Sequence, residues 1–166
     1  GGRYQCLQIT WDTENKRWYH LADSVYNDQE ILPDDWLYWT NNAQTWNGMC
    51  AECHSTNLQK NYNPKTHVYS TTWSEIDVSC EACHGPSSEH NRWAAIDEKT
   101  RPIADNYALV VQTSNITSNQ LVDQCAYCHA RRSSFGDFEH PRKELFDIIS
   151  PQLPIEPYYH PDGQIL

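Results

Sequence analysis

Three copies of one short pattern constrain this chain more than anything else in it: Cys50-Ala51-Glu52-Cys53-His54, Cys80-Glu81-Ala82-Cys83-His84 and Cys125-Ala126-Tyr127-Cys128-His129. The pattern takes six of the seven cysteines. Two thiols three residues apart share one helical turn, with an imidazole beside them. That arrangement fixes a haem through two thioether bonds and gives its iron an axial ligand from the same segment. Cys50, Cys53, Cys80, Cys83, Cys125 and Cys128 are therefore the expected attachment residues of three c-type haems, with His54, His84 and His129 as ligands to the three irons. Two other chemistries use Cys-x-x-Cys. A zinc ribbon takes such units in pairs, which leaves one over here and every histidine unexplained. A thioredoxin-like redox pair occurs once in a βαβ setting, and no such pattern is present.

Composition agrees with a large internal cofactor. The 166 residues suit a single domain, 1–166, yet Leu, Ile, Val and Phe are sparse and Met occurs once, while seven Trp and ten Tyr are present. A disordered chain would be poor in aromatic rings, so the low aliphatic content points to haem surface taking the place of an aliphatic core. With 12 basic against 22 acidic residues the net charge is −10. This disfavours nucleic acid and anionic membrane surfaces as partners and favours redox proteins with basic surfaces. No apolar run is long enough to span a membrane. The chain opens at Gly1-Gly2 without a signal peptide, so it is expected to be processed or to be part of a longer chain. Haem attachment places it in the periplasm or outside the cell, in a bacterium or archaeon.

Along the chain, alternation of Leu7, Ile9 and Trp11 with Gln8 and Thr10, then a turn at 12–15, predicts a β-hairpin over 3–21. Pro33-Asp34-Asp35 predicts a short helix to about Thr40, within a stretch of haem-binding helical units over 33–140. Each motif should lie on a short helical turn. Gly85-Pro86 predicts a helix over Ser87 to Ile96, and Ser118 reads as the cap of a helix over Asn119 to Arg132. The segment 141–166, with Pro151, Pro154, Pro157 and Pro161, reads as an extended tail.

A haem that only passes electrons has its second axial position closed by His or Met. Met49 abuts Cys50, too close to reach the far side of its own ring, so histidines are expected. His20 ends an aromatic strand, and His140 and His160 lie beside aromatics in loop or tail. His90 is only six residues beyond His84, so it is expected to serve a haem other than its sequence neighbour. Four candidates for three positions leave one over, either idle or ligating a haem of another chain. His67 reads as a solvated loop residue, and Cys6 as a small buried residue of the hairpin.

The stretches MCAECHSTNLQKNY, TTWSEIDVSCEACHGPSSEH, CAYCHARRS and YYHPDGQIL, with WYHL and PDDWLYWT, resemble the multihaem cytochrome c family of bacterial proteins that often continue into tetratricopeptide repeats. That family is similar in haem packing to the tetrahaem cytochromes of nitrogen metabolism. The resemblance implies short helices and loops wrapped around stacked haems, with bis-histidine irons in close-packed pairs and His20, His90, His140 and His160 in family-like contexts. Relatives carry further Cys-x-x-Cys-His motifs on both sides, so this chain is expected to be a segment of a longer pattern. The leading expectation is electron transfer, either as a soluble carrier or through haem contacts between subunits of a filament. The alternative is a multihaem enzyme acting on a small nitrogen or sulfur compound at a five-coordinate iron, with Arg131, Arg132 or His67 as a nearby proton donor.

Overall fold

The Asp12 carboxylate makes the first reversal of the chain, accepting hydrogen bonds from the backbone N–H of Glu14 at 3.1 Å and of Asn15 at 3.0 Å, and from the Asn15 side-chain amide at 2.7 Å. Lys16, at φ 53°, completes the turn. In this computed structural model, which describes residues 1–21, 30–137, 144–156 and 158–165, the chain divides into two compact units. One comprises Gly1–Ala51 and Lys60–Thr71, the other Glu52–Gln59 and Thr72–Leu166.

In the first unit, β1 (Ile9–Asp12) and β2 (Arg17–His20) pair antiparallel with Ile9 opposite His20 and Trp11 opposite Trp18. The hairpin lies inside the predicted span but is shorter. Residues before Ile9 leave it, because Gln5 bridges to Thr45 and the Cys6 N–H donates to the Gln44 carbonyl at 2.8 Å. Those contacts lead to α1 (Trp46–Met49). Its buried Asn47 accepts from the Tyr4 N–H at 2.7 Å and donates to the Thr71 hydroxyl at 2.8 Å, so one amide ties three segments together. Satisfying both ends of a buried amide is what makes its burial tolerable.

The predicted helix after Pro33 is absent. Successive turns replace it, with N–H groups of Asp35, Tyr38 and Asn41 donating to the carbonyls three residues earlier. The Asp35 carboxylate takes the Leu37 N–H, and the Asn41 amide takes the carbonyls of Pro33 and Asp35, so side chains compete for the groups a helix would use. The loop after the first motif also holds a small ladder, β3 (Tyr62–Asn63) with β4 (Val68–Tyr69), turned by the Asn63 side chain accepting from the N–H groups of Lys65 and Thr66.

The second unit carries α2 (Cys80–His84), α3 (Ser88–Ala94), α4 (Ser118–His129), β5 (Arg132–Ser134), α5 (Leu145–Ile148) and β6 (Ile149–Pro151). Gly85 ends α2 at φ 74°, a conformation that strains any residue with a Cβ, and an added Cβ would meet Val111 at 3.1 Å. The Glu81 carboxylate then takes the N–H and hydroxyl of Ser87, setting the start of α3. The cap of α4 is Thr117 and not Ser118. The Thr117 hydroxyl accepts from the Gln120 N–H and the Gln120 side chain accepts from the Thr117 N–H, a reciprocal pair that settles two end groups at once.

The tail is not simply extended. α5 and β6 form because Leu145 and Ile149 bury themselves against Tyr127 of α4, while β6 pairs antiparallel with β5. Elsewhere large apolar side chains stay on the polypeptide surface, Trp18 at 68 % exposure and Val122 at 61 % among them. Short helices and two-stranded sheets with little aliphatic core among the described residues fit the composition.

Candidate functional site

Two of the three motifs are built on helices of the second unit. On α2, Cys80 and Cys83 are exposed and His84 is half-buried at the helix end. The His84 Nδ1 lies 3.3 Å from the Thr113 hydroxyl, and the Val111 N–H donates to the His84 carbonyl at 3.2 Å, so the segment after α3 holds this histidine from two sides. On α4, Cys125, Cys128 and His129 occupy the last turn and a half, and the Gln124 amide donates to the Cys83 carbonyl at 2.8 Å. Both motifs open on one cleft of about 350 Å³, lined by Cys83, His84, Cys125, Cys128 and His129, with Val78, Leu121, Leu145 and Ile148 among its walls. Thiols and imidazoles on an apolar-walled cleft match the donor set and the surface that a covalently attached haem requires.

The first motif differs. Cys50 caps α1, and the N–H groups of Cys50 and Ala51 both donate to the Trp46 carbonyl, at 3.1 and 2.9 Å. This widened last turn ends the helix, so residues 51–54 form a turn and not the predicted helix. The Cys50 sulfur lies 3.5 Å from that of Cys6, which is half-buried and precedes the hairpin strands. Cys53 is half-buried in the second unit and its thiol donates to the Cys128 carbonyl at 3.6 Å, while His54 is exposed.

Around Cys53 and Cys128 lies a buried polar cluster. The Glu52 carboxylate accepts from Arg132 Nη2 at 2.9 Å, from the Tyr127 hydroxyl at 3.0 Å and from the Ser134 hydroxyl at 2.9 Å. Side-chain exposure is 7 % for Arg132 and 9 % for Glu52. The guanidinium also stacks over the Tyr127 ring at 4.9 Å and places both terminal nitrogens 3.6 Å from the Cys53 sulfur. As a free thiol Cys53 is pushed down to about 6, first by a hydrogen bond with the Cys128 side chain and then by the Arg132 charge. Cys128 is pushed up by that same bond and by burial, and burial beside Glu52 pushes the Tyr127 hydroxyl up. Burial works against the Arg132 charge, but Cys53 and Glu52 hold its pKa above the ordinary arginine value. The sequence alone suggests Arg132 as a donor near an open iron and does not single out Glu52 at all. The one signal it carries is that Glu and Tyr stand between the cysteines of two different motifs.

None of the other described histidines lines the cleft. His20 ends β2, half-buried, in the first unit. His67 is exposed at φ 54°, its Nδ1 2.8 Å from the Tyr62 hydroxyl. On α3, His90 Nδ1 donates to the Tyr107 carbonyl at 2.7 Å, which leaves Nε2 as the nitrogen with a free lone pair, the tautomer a metal ligand needs. Asn106, Tyr107 and Ala108 hold positive φ in succession, and the Asn106 amide braces the loop by donating to the carbonyls of Leu109 and Val111. His160 is exposed, its N–H donating to the Gln164 carbonyl at 2.8 Å. His140 lies outside the described residues. Among the described residues, no three His, Cys, Asp or Glu side chains gather as a bare metal ion would require, and no helix is long and apolar enough to cross a membrane.

Residues 12–85 match the protein family described as cytochrome c554 and c-prime, a span that takes in most of the hairpin and the first two motifs. Comparison with curated protein sequences gives no match. Among solved structures the chain is similar to the crystal structure of the outer cell wall cytochrome OcwA, with a TM-score of 0.51 and 19 % identity, over 90 % of this chain and 27 % of that one. The likeness at that identity is one of fold, and this chain spans about a quarter of that cytochrome's length.

Proposed function

We propose, from the three Cys-x-x-Cys-His motifs and the match of residues 12–85 to the cytochrome c554 and c-prime family, that this chain transfers electrons through three covalently attached haems and performs no chemistry on a substrate. The observation that carries the reading is the cleft on which thiols and imidazoles of two motifs open together between apolar walls. When bound, haem supplies a one-electron iron couple whose potential the protein sets through axial ligands, hydrogen bonds and burial. Cys50 and Cys53, Cys80 and Cys83, and Cys125 and Cys128 would each hold one such group, with His54, His84 and His129 as its first axial ligands.

What the side chains do follows from their chemistry. The Thr113 hydroxyl lies within hydrogen-bond reach of His84 Nδ1, and where it accepts the Nδ1 proton the lone pair is kept on Nε2, the tautomer a metal ligand needs. The Tyr107 carbonyl does the same for His90, which supports His90 as a second axial ligand. His20, His140 and His160 complete the candidate set, and one more histidine than the three irons need leaves room for a haem contact between subunits. Val78, Leu121, Leu145 and Ile148 give the cleft apolar walls against which a haem macrocycle would pack. The acidic net charge of −10 suits redox partners with basic surfaces. A periplasmic or extracellular location accords with haem attachment, and the self-assembling variant would extend the electron path between molecules.

Electronic absorption and electron paramagnetic resonance of the oxidised protein test this reading. All irons are expected to be low-spin and indifferent to nitrite and cyanide. A high-spin iron that binds either ligand would overturn it in favour of a multihaem enzyme working at a five-coordinate iron.

A further inference from the structure

The Glu52–Arg132 pair joins two attachment segments that are far apart in sequence. Glu52 stands between the cysteines of the first motif, and Tyr127, which also donates to Glu52, stands between those of the third. Arg132, three residues beyond His129, touches the sulfur of Cys53 and donates to the Ala130 carbonyl at 3.2 Å. Both charged side chains are more than nine-tenths buried. Glu52 does not saturate its partner. Among the described residues the Arg132 Nε–H is buried without an acceptor, so the guanidinium keeps one donor for an anion. The pair is also costly. Buried ion pairs are often no more stabilising than well-packed apolar residues of the same volume, so its placement against two haem-attachment cysteines asks for another explanation.

We propose that Arg132 and Glu52 form a fixed electrostatic pair that sets the reduction potential of the haem held at Cys53, the haem held at Cys128, or both. Arg132 supplies a cation that favours the reduced state, and Glu52 offsets it. This rests on haem attachment at those two cysteines. Arginine stays charged in any protein environment, so removing Glu52 exposes an uncompensated positive charge close to the attachment sites. In a water-poor setting such a charge acts strongly on a neighbouring electron-accepting group. Adding the electron to the haem then becomes easier. Deleting both members restores the original charge balance.

The test is a spectroelectrochemical titration of the whole haem-loaded protein as the parent, as one single variant and as two double variants. Glu52→Gln keeps the volume and the acceptor oxygen for Tyr127 and Ser134. It is expected to raise at least one of the one-electron potentials by about tenfold in the reduction equilibrium, which is 59 mV. Glu52→Gln with Arg132→Gln is expected to return that potential to within about twofold of the parent. Should the single variant fail to accumulate with haem, Glu52→Gln with Arg132→Lys must titrate higher than Glu52→Gln with Arg132→Gln, since those two differ by the same charge. A merely structural role predicts otherwise, because loosening the cluster admits water and lowers the potential in every variant. Potentials that fall in every variant, or a rise that persists in the charge-free double variant, would overturn the proposal. A parent protein that carries no covalent haem would instead sink the functional reading, which separates the two failures.

Discussion

The second attachment helix and the junction of the first and third are held in different ways. On α2 both cysteines stand exposed, and His84 is steadied by one threonine hydroxyl and one backbone N–H. Around Cys53 and Cys128 a carboxylate, a guanidinium, a phenol and a serine hydroxyl close into one buried cluster. In the first arrangement a five-residue helix ended by Gly85 sets the spacing of Cys80, Cys83 and His84, and distant residues Val111, Thr113 and Gln124 add single hydrogen bonds. The second is long-range, because Glu52 and Arg132 are 80 residues apart. Attachment at α2 should therefore tolerate substitution of its neighbours, whereas the first and third motifs should lose their geometry together.

The largest expected effect follows from breaking that cluster on one side. Glu52→Leu leaves Arg132 buried without its counter-charge, and the expected loss is about 3–5 kcal/mol of unfolding free energy in a denaturant titration. A loss under about 1 kcal/mol would put the first and third motifs on the same footing as the second. Next is the helix that carries the third motif: Thr117→Ala removes the capping hydroxyl of α4 and should cost about 1 kcal/mol. Thr113→Val, on the α2 side, should cost about 1 kcal/mol or less, since it removes one hydrogen bond from a half-buried group. If Thr113→Val proved as damaging as Glu52→Leu, the contrast between the two regions would be broken.

The smallest effect belongs to the hairpin of the other unit. Asp12 lies below its ordinary carboxylate pKa of 3.8, chiefly through hydrogen bonds from the backbone and side chain of Asn15. A carboxylate whose folded pKa is depressed stabilises the fold fully above its unfolded value and loses that contribution as pH falls through the lowered one. Amide exchange at Glu14 and Asn15 should thus be independent of this group near neutrality and rise, beyond the intrinsic pH dependence, only on acidification below about 3.8. Asp12→Asn should abolish that acid-dependent component.

What can be read from the sequence divides along the same line between local and long-range. α4 and α3 are legible because their signals are local, a capping threonine or serine and a Gly-Pro pair. The hairpin is legible through its alternation and the Asp-Thr-Glu-Asn turn. The stretch 33–41 mimics a helix start, since the acidic residues that suggest a first helical turn here fold back as turn acceptors. α5 and β6 escape notice because proline density outweighs Leu145 and Ile149, whose burial depends on Tyr127 and is invisible in the tail's own pattern. The cysteines and their adjacent histidines are visible at once. Glu52 is not, because a carboxylate inside a motif declares nothing until Arg132 is folded against it.

Covalent attachment of three haems is tested most directly by the intact mass of the purified protein after full denaturation and removal of non-covalent cofactor. The chain is expected to retain three haems, with peptide fragments carrying one each at Cys50–Cys53, Cys80–Cys83 and Cys125–Cys128. A mass equal to the polypeptide alone, or fragments with free thiols at any of these pairs, would contradict it.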